Sequence, residues 1–211
     1  MTIVNLKKMA IEVSKNRGNV MFKYYICKFI LYKITYSCLW HSDTEDFFKI
    51  NNKFIYFNNI DDLRKIIIDN NLIVGEEIDE FDCDKIKKFS RNNLLSPNEI
   101  LNFWNILTDV SKDFEINFVG NKRNRLIDHI YNKLFYGCNL PTINISGKIY
   151  VPKWRKKEIE EIKKIIENGI LILKKIFWNE EELKILIKLK KCQRRKHRKR
   201  KKLCIRQRKN R

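Results

Sequence analysis

The sequence predicts an α+β domain in which a small antiparallel sheet packs against several helices, with a disordered basic tail at the C-terminal end. Three observations predict it. Aromatic and β-branched runs with interspersed Lys, Phe22 to Tyr36 and Asn52 to Phe57, have strand character. From Asn59 onward most segments place apolar residues at helical spacing, so the order is two strands, a helix, a strand and then several helices, which suits helices gathered on one side of a sheet. At 211 residues and 44% hydrophobic content, the chain is long and apolar enough for one ordinary core. No internal repeat at a fixed period interrupts this order. The expected organisation is a poorly patterned extension over residues 1–20, one globular domain over 21–183 and the tail over 184–211.

The extension ends in a Gly18-Asn19 turn signal, and Met21 just after it is read as an alternative start. Phe22 to Tyr36 is read as one long strand, followed by the polar loop "LWHSDTEDFFKIN" and the shorter strand "NKFIYF". "NNIDDLRKIIIDNNL" is a helix with Asn59 as its cap and Asp61 and Asp62 in the first turn, where the helix dipole favours anions. Leu63, Ile66 and Ile67 form its apolar face. "LIVGEEIDEFDCD" alternates around Ile73, Ile78 and Phe81 and is read as an exposed strand with an acidic outer side. A short helix follows in "DKIKKFSR".

The clearest local signal is "SPNEILNFWNILTDVSKDF". Ser96 is placed as an N-cap, Pro97 at the first helical position and Glu99 to complete a capping box. Ile100, Leu101, Trp104, Leu107 and Val110 then mark a core helix, on which Asp109 is read as a polar anchor. "RNRLIDHIYNKLFYG" is a second helix that stops at Gly137. After a Pro141 turn and a short extended piece at Ile149 to Val151, Pro152 opens a long helix with Ile159, Ile162, Ile165 and Ile166 inward and Gly169 as its stop or kink.

The net charge of +20 is unevenly spread. Lys184 to Arg211 holds 16 Lys plus Arg and no acid, which leaves 29 basic against 25 acidic residues in the rest of the chain. The body is nearly neutral, and the excess sits in the tail. Arg194, Arg195, Lys196, Arg198, Lys199, Arg200, Lys201 and Lys202 can contact phosphates of nucleic acid or another anionic surface, without sequence specificity and with steep salt dependence. The tail has no aromatic residue for base stacking, and an extension without a selected role is the competing reading.

The six cysteines form no CxxC pair and no zinc-ligand cluster. With no signal-peptide pattern ahead of them, reduced thiols in a cytoplasmic protein are expected. The most apolar stretch, Tyr24 to Tyr36, is too short to span a bilayer and is broken by Lys28 and Lys33, so no transmembrane segment is expected.

No GxGxxG, P-loop or HExxH is present, so no catalytic residue, cofactor or metal is assigned. His41, with Asp43, Glu45 and Asp46 nearby, is a minor candidate for a metal or general-base site against a solvated loop. The carboxylates Glu76, Glu77, Asp79, Glu80, Asp82 and Asp84 are the more informative cluster. They lack the spacing and turn glycine of a calcium loop. They are read either as a docking surface for a basic partner or as a solvated strand edge that discourages aggregation.

The segments "LNFWNILTDVSKDF" (Leu101 to Phe114), "IYNKLFYGCNLP" (Ile130 to Pro141) and "YVPKWRKKEIEEIKKIIENG" (Tyr150 to Gly169) resemble a group of small bacterial immunity proteins, the CdiI type of contact-dependent growth inhibition and similar polymorphic toxin systems. The resemblance spans Phe22 to Trp178 and rests on packing patterns around Trp104, Asp109, Tyr136, Gly137, Pro141, Pro152 and Trp154. It implies a cytoplasmic, non-catalytic protein that binds and neutralises one cognate toxin. A basic nuclease toxin would meet the acidic segment favourably and be repelled by the basic tail. The alternative is a nucleic-acid-associated protein acting through that tail.

Overall fold

The computed structural model describes residues 23–142 and 147–178. The chain divides into two compact units, Met1–Ile172 and Leu173–Arg211. The described part of the second is the last turn of a long helix and Trp178, with Lys174 Nζ 5.8 Å from the Trp178 ring centroid.

Its centre is an antiparallel hairpin of β1 (Tyr24–Leu31) and β2 (Ile34–His41). The expected single strand from Phe22 to Tyr36 is therefore two strands. The turn at Tyr32 and Lys33 takes positive φ values of 54° and 64°, costly for residues with a Cβ. Asp84 offsets that cost by accepting from Tyr32 N at 3.0 Å and Lys33 N at 2.8 Å, a support that lies 51 residues further along the chain.

β3 (Asp46–Phe47) pairs antiparallel with β2, while β4 (Lys49–Ile50) and β5 (Lys53–Phe54) form a separate small hairpin. Helix α1 (Ile60–Asp69) is capped by Asn59 Oδ1, which accepts from Asp61 N at 3.0 Å. It returns the chain so that β6 (Val74–Asp82) runs parallel to β1, giving the order β3-β2-β1-β6. The sheet is thus mixed and not antiparallel as expected, because an intervening helix is what a parallel pairing needs.

Alternation along β1 gives the sheet two faces. Ile26 and Leu39 pack with Leu63 of α1, a small core that includes Phe57, Ile60 and Ile67. Burying a side chain such as Leu63 contributes about 2 kcal/mol. Cys27, Phe29 and Leu31 point the other way and are buried, with the Phe29 ring stacked on Phe81 of β6 at 5.2 Å.

After the short helix α2 (Cys83–Ile86) comes α3 (Pro97–Asp113), whose capping box forms as expected: Glu99 N donates to Ser96 Oγ at 3.2 Å and Ser96 N to Glu99 Oε2 at 3.1 Å. Asp113 fastens its last turn to the sheet by accepting from Phe47 N at 3.2 Å and pairing with Lys49. A turn of 3-10 helix (Val119–Asn121) leads to α4 (Arg125–Gly137), capped by Asn124.

The last helix, α5 (Lys156–Phe177), begins four residues after Pro152, the expected opening position. Glu158 sets its start. The carboxylate is buried and accepts from Arg155 N at 2.6 Å and from Lys133 Nζ of α4 at 2.8 and 3.0 Å. Burial alone would raise its pKa, but these donors hold it below the ordinary carboxylate value. Gly169 does not end the helix, which continues to Phe177. A Cβ there would lie 2.0 Å from Leu107 Cδ1, so the glycine is what lets α5 approach α3.

Candidate acidic docking edge

β6 pairs with β1 on one side, and among the described residues no strand covers its other edge. Tyr24 pairs with Val74 but Ile26 with Ile78, so β6 carries extra residues between Val74 and Ile78, a bulge in the pairing. Glu76, Glu77 and Glu80 are exposed, and none makes an ion pair within the described residues. Asp79 is half-buried and engaged.

The remaining two acids of the cluster have structural work. Asp82 caps α2 by accepting from Lys85 N at 2.8 Å, and Asp84 holds the β1–β2 turn. The sequence run of six carboxylates therefore separates into an outward-facing group on β6 and a tied group at its end.

Beside that end lies a cleft of about 350 Å³ between β6, α2 and the first turns of α3. Glu80, Asp82 and Glu99 bring carboxylates to its wall, with Phe81, Ile86 and Asn102 between them. Lys85 pairs with Glu99 across it. That contact holds the Glu99 carboxyl below its ordinary pKa and raises that of Lys85. Glu99 and Asn102 belong to α3 and sit far from the acidic run in sequence, so only the fold joins them to it.

His41 does not assemble a catalytic group. Its Nδ1 lies 2.8 Å from Thr44 Oγ1 and 3.2 Å from Thr44 N, Glu45 is drawn away to Lys112 at 3.1 Å, and Asp46 accepts from Thr44. Among the described residues, no group of three or more His, Cys, Asp or Glu side chains is placed to hold a metal ion. Cys27, Cys38, Cys83 and Cys138 are free thiols, and burial pushes those of Cys38 and Cys83 far above their ordinary pKa. No helix among the described residues is long and apolar enough to cross a membrane. The basic residues from Arg194 to Lys202 lie outside the described residues.

Asp109 is fully buried on α3, and among the described residues neither carboxylate oxygen has a hydrogen-bond partner. It is not the hydrogen-bonded anchor its sequence position suggests. Burial, with a smaller contribution from Glu45 and partial relief from Lys112, raises its pKa to about 7.

Compared with known proteins, the chain matches no family model, no curated protein and no solved structure. What is established is the class of fold, an α+β domain with a mixed sheet.

Proposed function

We propose that the protein is a non-catalytic binding protein that docks a basic partner protein on the β6 edge, most specifically an immunity protein that neutralises a cognate bacterial toxin. The observation that carries this reading is the trio Glu76, Glu77 and Glu80, exposed and unpaired among the described residues on an uncovered edge beside an acid-lined cleft. Side chains make the contact. A bulged, like-charged edge resists the addition of another strand but attracts cations, and clustered charge of one sign speeds encounter with its complement. The immunity assignment itself comes from the sequence resemblance.

The test is capture from nuclease-treated lysate on immobilised full-length protein and on the Glu76→Lys/Glu77→Lys/Glu80→Lys variant. One stoichiometric basic protein held by the first and lost by the second supports the reading. Equal retention of that protein by both removes the docking edge.

The 16 basic and no acidic residues of Lys184 to Arg211 favour a second reading, binding of RNA or DNA through the tail. Replacing Arg194, Arg195, Lys196 and Arg198 with Gln would then flatten a steep salt dependence of nucleic-acid binding, by about 0.9 log unit of slope per lost phosphate contact.

A further inference from the structure

Residues 147–157, which lead into α5, hold five cations, Lys148, Lys153, Arg155, Lys156 and Lys157, and no acid. In their midst Ile149 is 78% and Val151 71% exposed, with Tyr150 between them at 41%. Neighbouring apolar side chains this open to water mark a contact surface. Tyr136 of α4, itself exposed, extends that surface: its ring stands edge to face with Tyr150, centroids 6.5 Å apart.

The segment is pinned in place. Asn139 Oδ1 accepts from Tyr150 N at 2.7 Å, and Asn139 Nδ2 donates to Tyr150 O at 3.0 Å. Further on, Lys133 Nζ donates to Lys153 O at 2.9 Å. Ile149 and Val151 are therefore presented on a held backbone, which lowers the ordering cost of burying them against a partner.

The charges call for a partner of one sign. Lys153, Arg155, Lys156 and Lys157 are exposed and form no ion pair within the described residues. Lys156 and Lys157 open α5, at the helix end whose dipole disfavours cations. The one acid of that first turn, Glu158, is buried and taken by Lys133. Nucleic acid would bring negative charge but no place for aliphatic side chains, which do not stack on bases. An anionic bilayer brings both, headgroups for the cations and acyl chains for Ile149 and Val151. Tyr136, Tyr150 and half-buried Trp154 are the residue types that sit at its interface.

We infer that residues 148–157 dock on an anionic lipid surface, with Ile149 and Val151 entering the acyl chains and Lys153, Arg155, Lys156 and Lys157 against the headgroups. The attachment is peripheral. It is independent of the acidic β6 edge and opposite to it in charge.

The test uses the full-length ¹⁵N-labelled protein and nanodiscs of phosphatidylcholine with about 30% phosphatidylserine, doped with lipid that carries a nitroxide deep in its acyl chain. The nitroxide broadens amide signals that reach the hydrocarbon, so adsorption of the basic tail at the headgroups does not register at this segment. Broadening of Ile149, Tyr150 and Val151 is expected. At Tyr150 it should fall at least about fivefold in Ile149→Ser/Val151→Ser and at least about twofold in Lys153→Gln/Lys156→Gln/Lys157→Gln. All five side chains are exposed, so neither variant disturbs the core. The proposal is overturned if the three signals stay sharp, whether or not the protein sediments with vesicles of the same lipids. It is also overturned if the broadening is unchanged in either variant, or if a single-stranded oligonucleotide shifts these signals and the discs do not broaden them.

Discussion

Replacing Asp109 by Asn should remove most of the dependence of stability on pH near neutrality. Asp109 is 0% exposed, its two oxygens lack partners among the described residues, and burial is the main reason its folded pKa stands at about 7 against the ordinary 3.8. The folded state therefore holds a proton that the unfolded chain releases. Stability is greatest at low pH, where both states are protonated, and falls as pH rises through the folded value. A shift of about three units corresponds to roughly 4 kcal/mol in the limit. Of that, about 2.5 kcal/mol is lost between pH 5 and pH 8: the unfolded chain is already ionised at pH 5, so the loss grows with pH until the folded carboxyl ionises near pH 7 and then levels off. Asparagine fills nearly the same volume and does not titrate. Urea unfolding at pH 5, 6, 7 and 8 should show Asp109→Asn gaining about 2.5 kcal/mol on the native protein across the range. Contributions of groups other than Asp109 are common to both proteins and cancel in the difference. Parallel curves would refute the reasoning, since they would mean that Asp109 is hydrated or paired in solution.

Further substitutions at three places probe how the fold is held. Asp84→Ala frees the N–H groups of Tyr32 and Lys33 and should cost roughly 1–3 kcal/mol in urea unfolding, whereas Lys33→Gly, at φ 64°, should recover about 1 kcal/mol. Gly169→Ala adds a good helix former yet should lower Tm, at a cost of about 1–3 kcal/mol, because fully buried Leu107 cannot move aside; adding Leu107→Val should return part of the loss. Lys133→Met leaves Glu158 charged and buried and should cost about 3–5 kcal/mol at pH 7, less at a pH low enough to protonate Glu158.

The helices were legible because their ends are written locally. Ser96, Pro97 and Glu99 specify the start of α3 within four residues, and Asn59 does the same for α1. The β1–β2 hairpin was hidden because Tyr32 and Lys33 carry none of the Gly or Asn chemistry that a positive-φ turn usually shows, and their support comes from Asp84. The parallel pairing of β6 was hidden for a related reason. Buried parallel strands usually read as apolar runs, whereas β6 is an acidic edge strand whose direction is set by α1. Composition marked the acidic segment but could not divide it: Asp84 is occupied by a tertiary contact with Tyr32 and Lys33, and Asp82 by the cap of a four-residue helix. Asn105 looks like any polar residue on a helix until Tyr131 takes its oxygen and leaves its nitrogen without a partner among the described residues.

The central claim, that the β6 edge docks a basic protein, is tested most directly by titrating the captured partner against the full-length protein and the Glu76→Lys/Glu77→Lys/Glu80→Lys variant at low and moderate salt. A 1:1 complex is predicted, weakened at least about tenfold in the variant, chiefly through slower association, and with a difference that shrinks as salt rises. Equal affinity and equal salt dependence for the two proteins would contradict it.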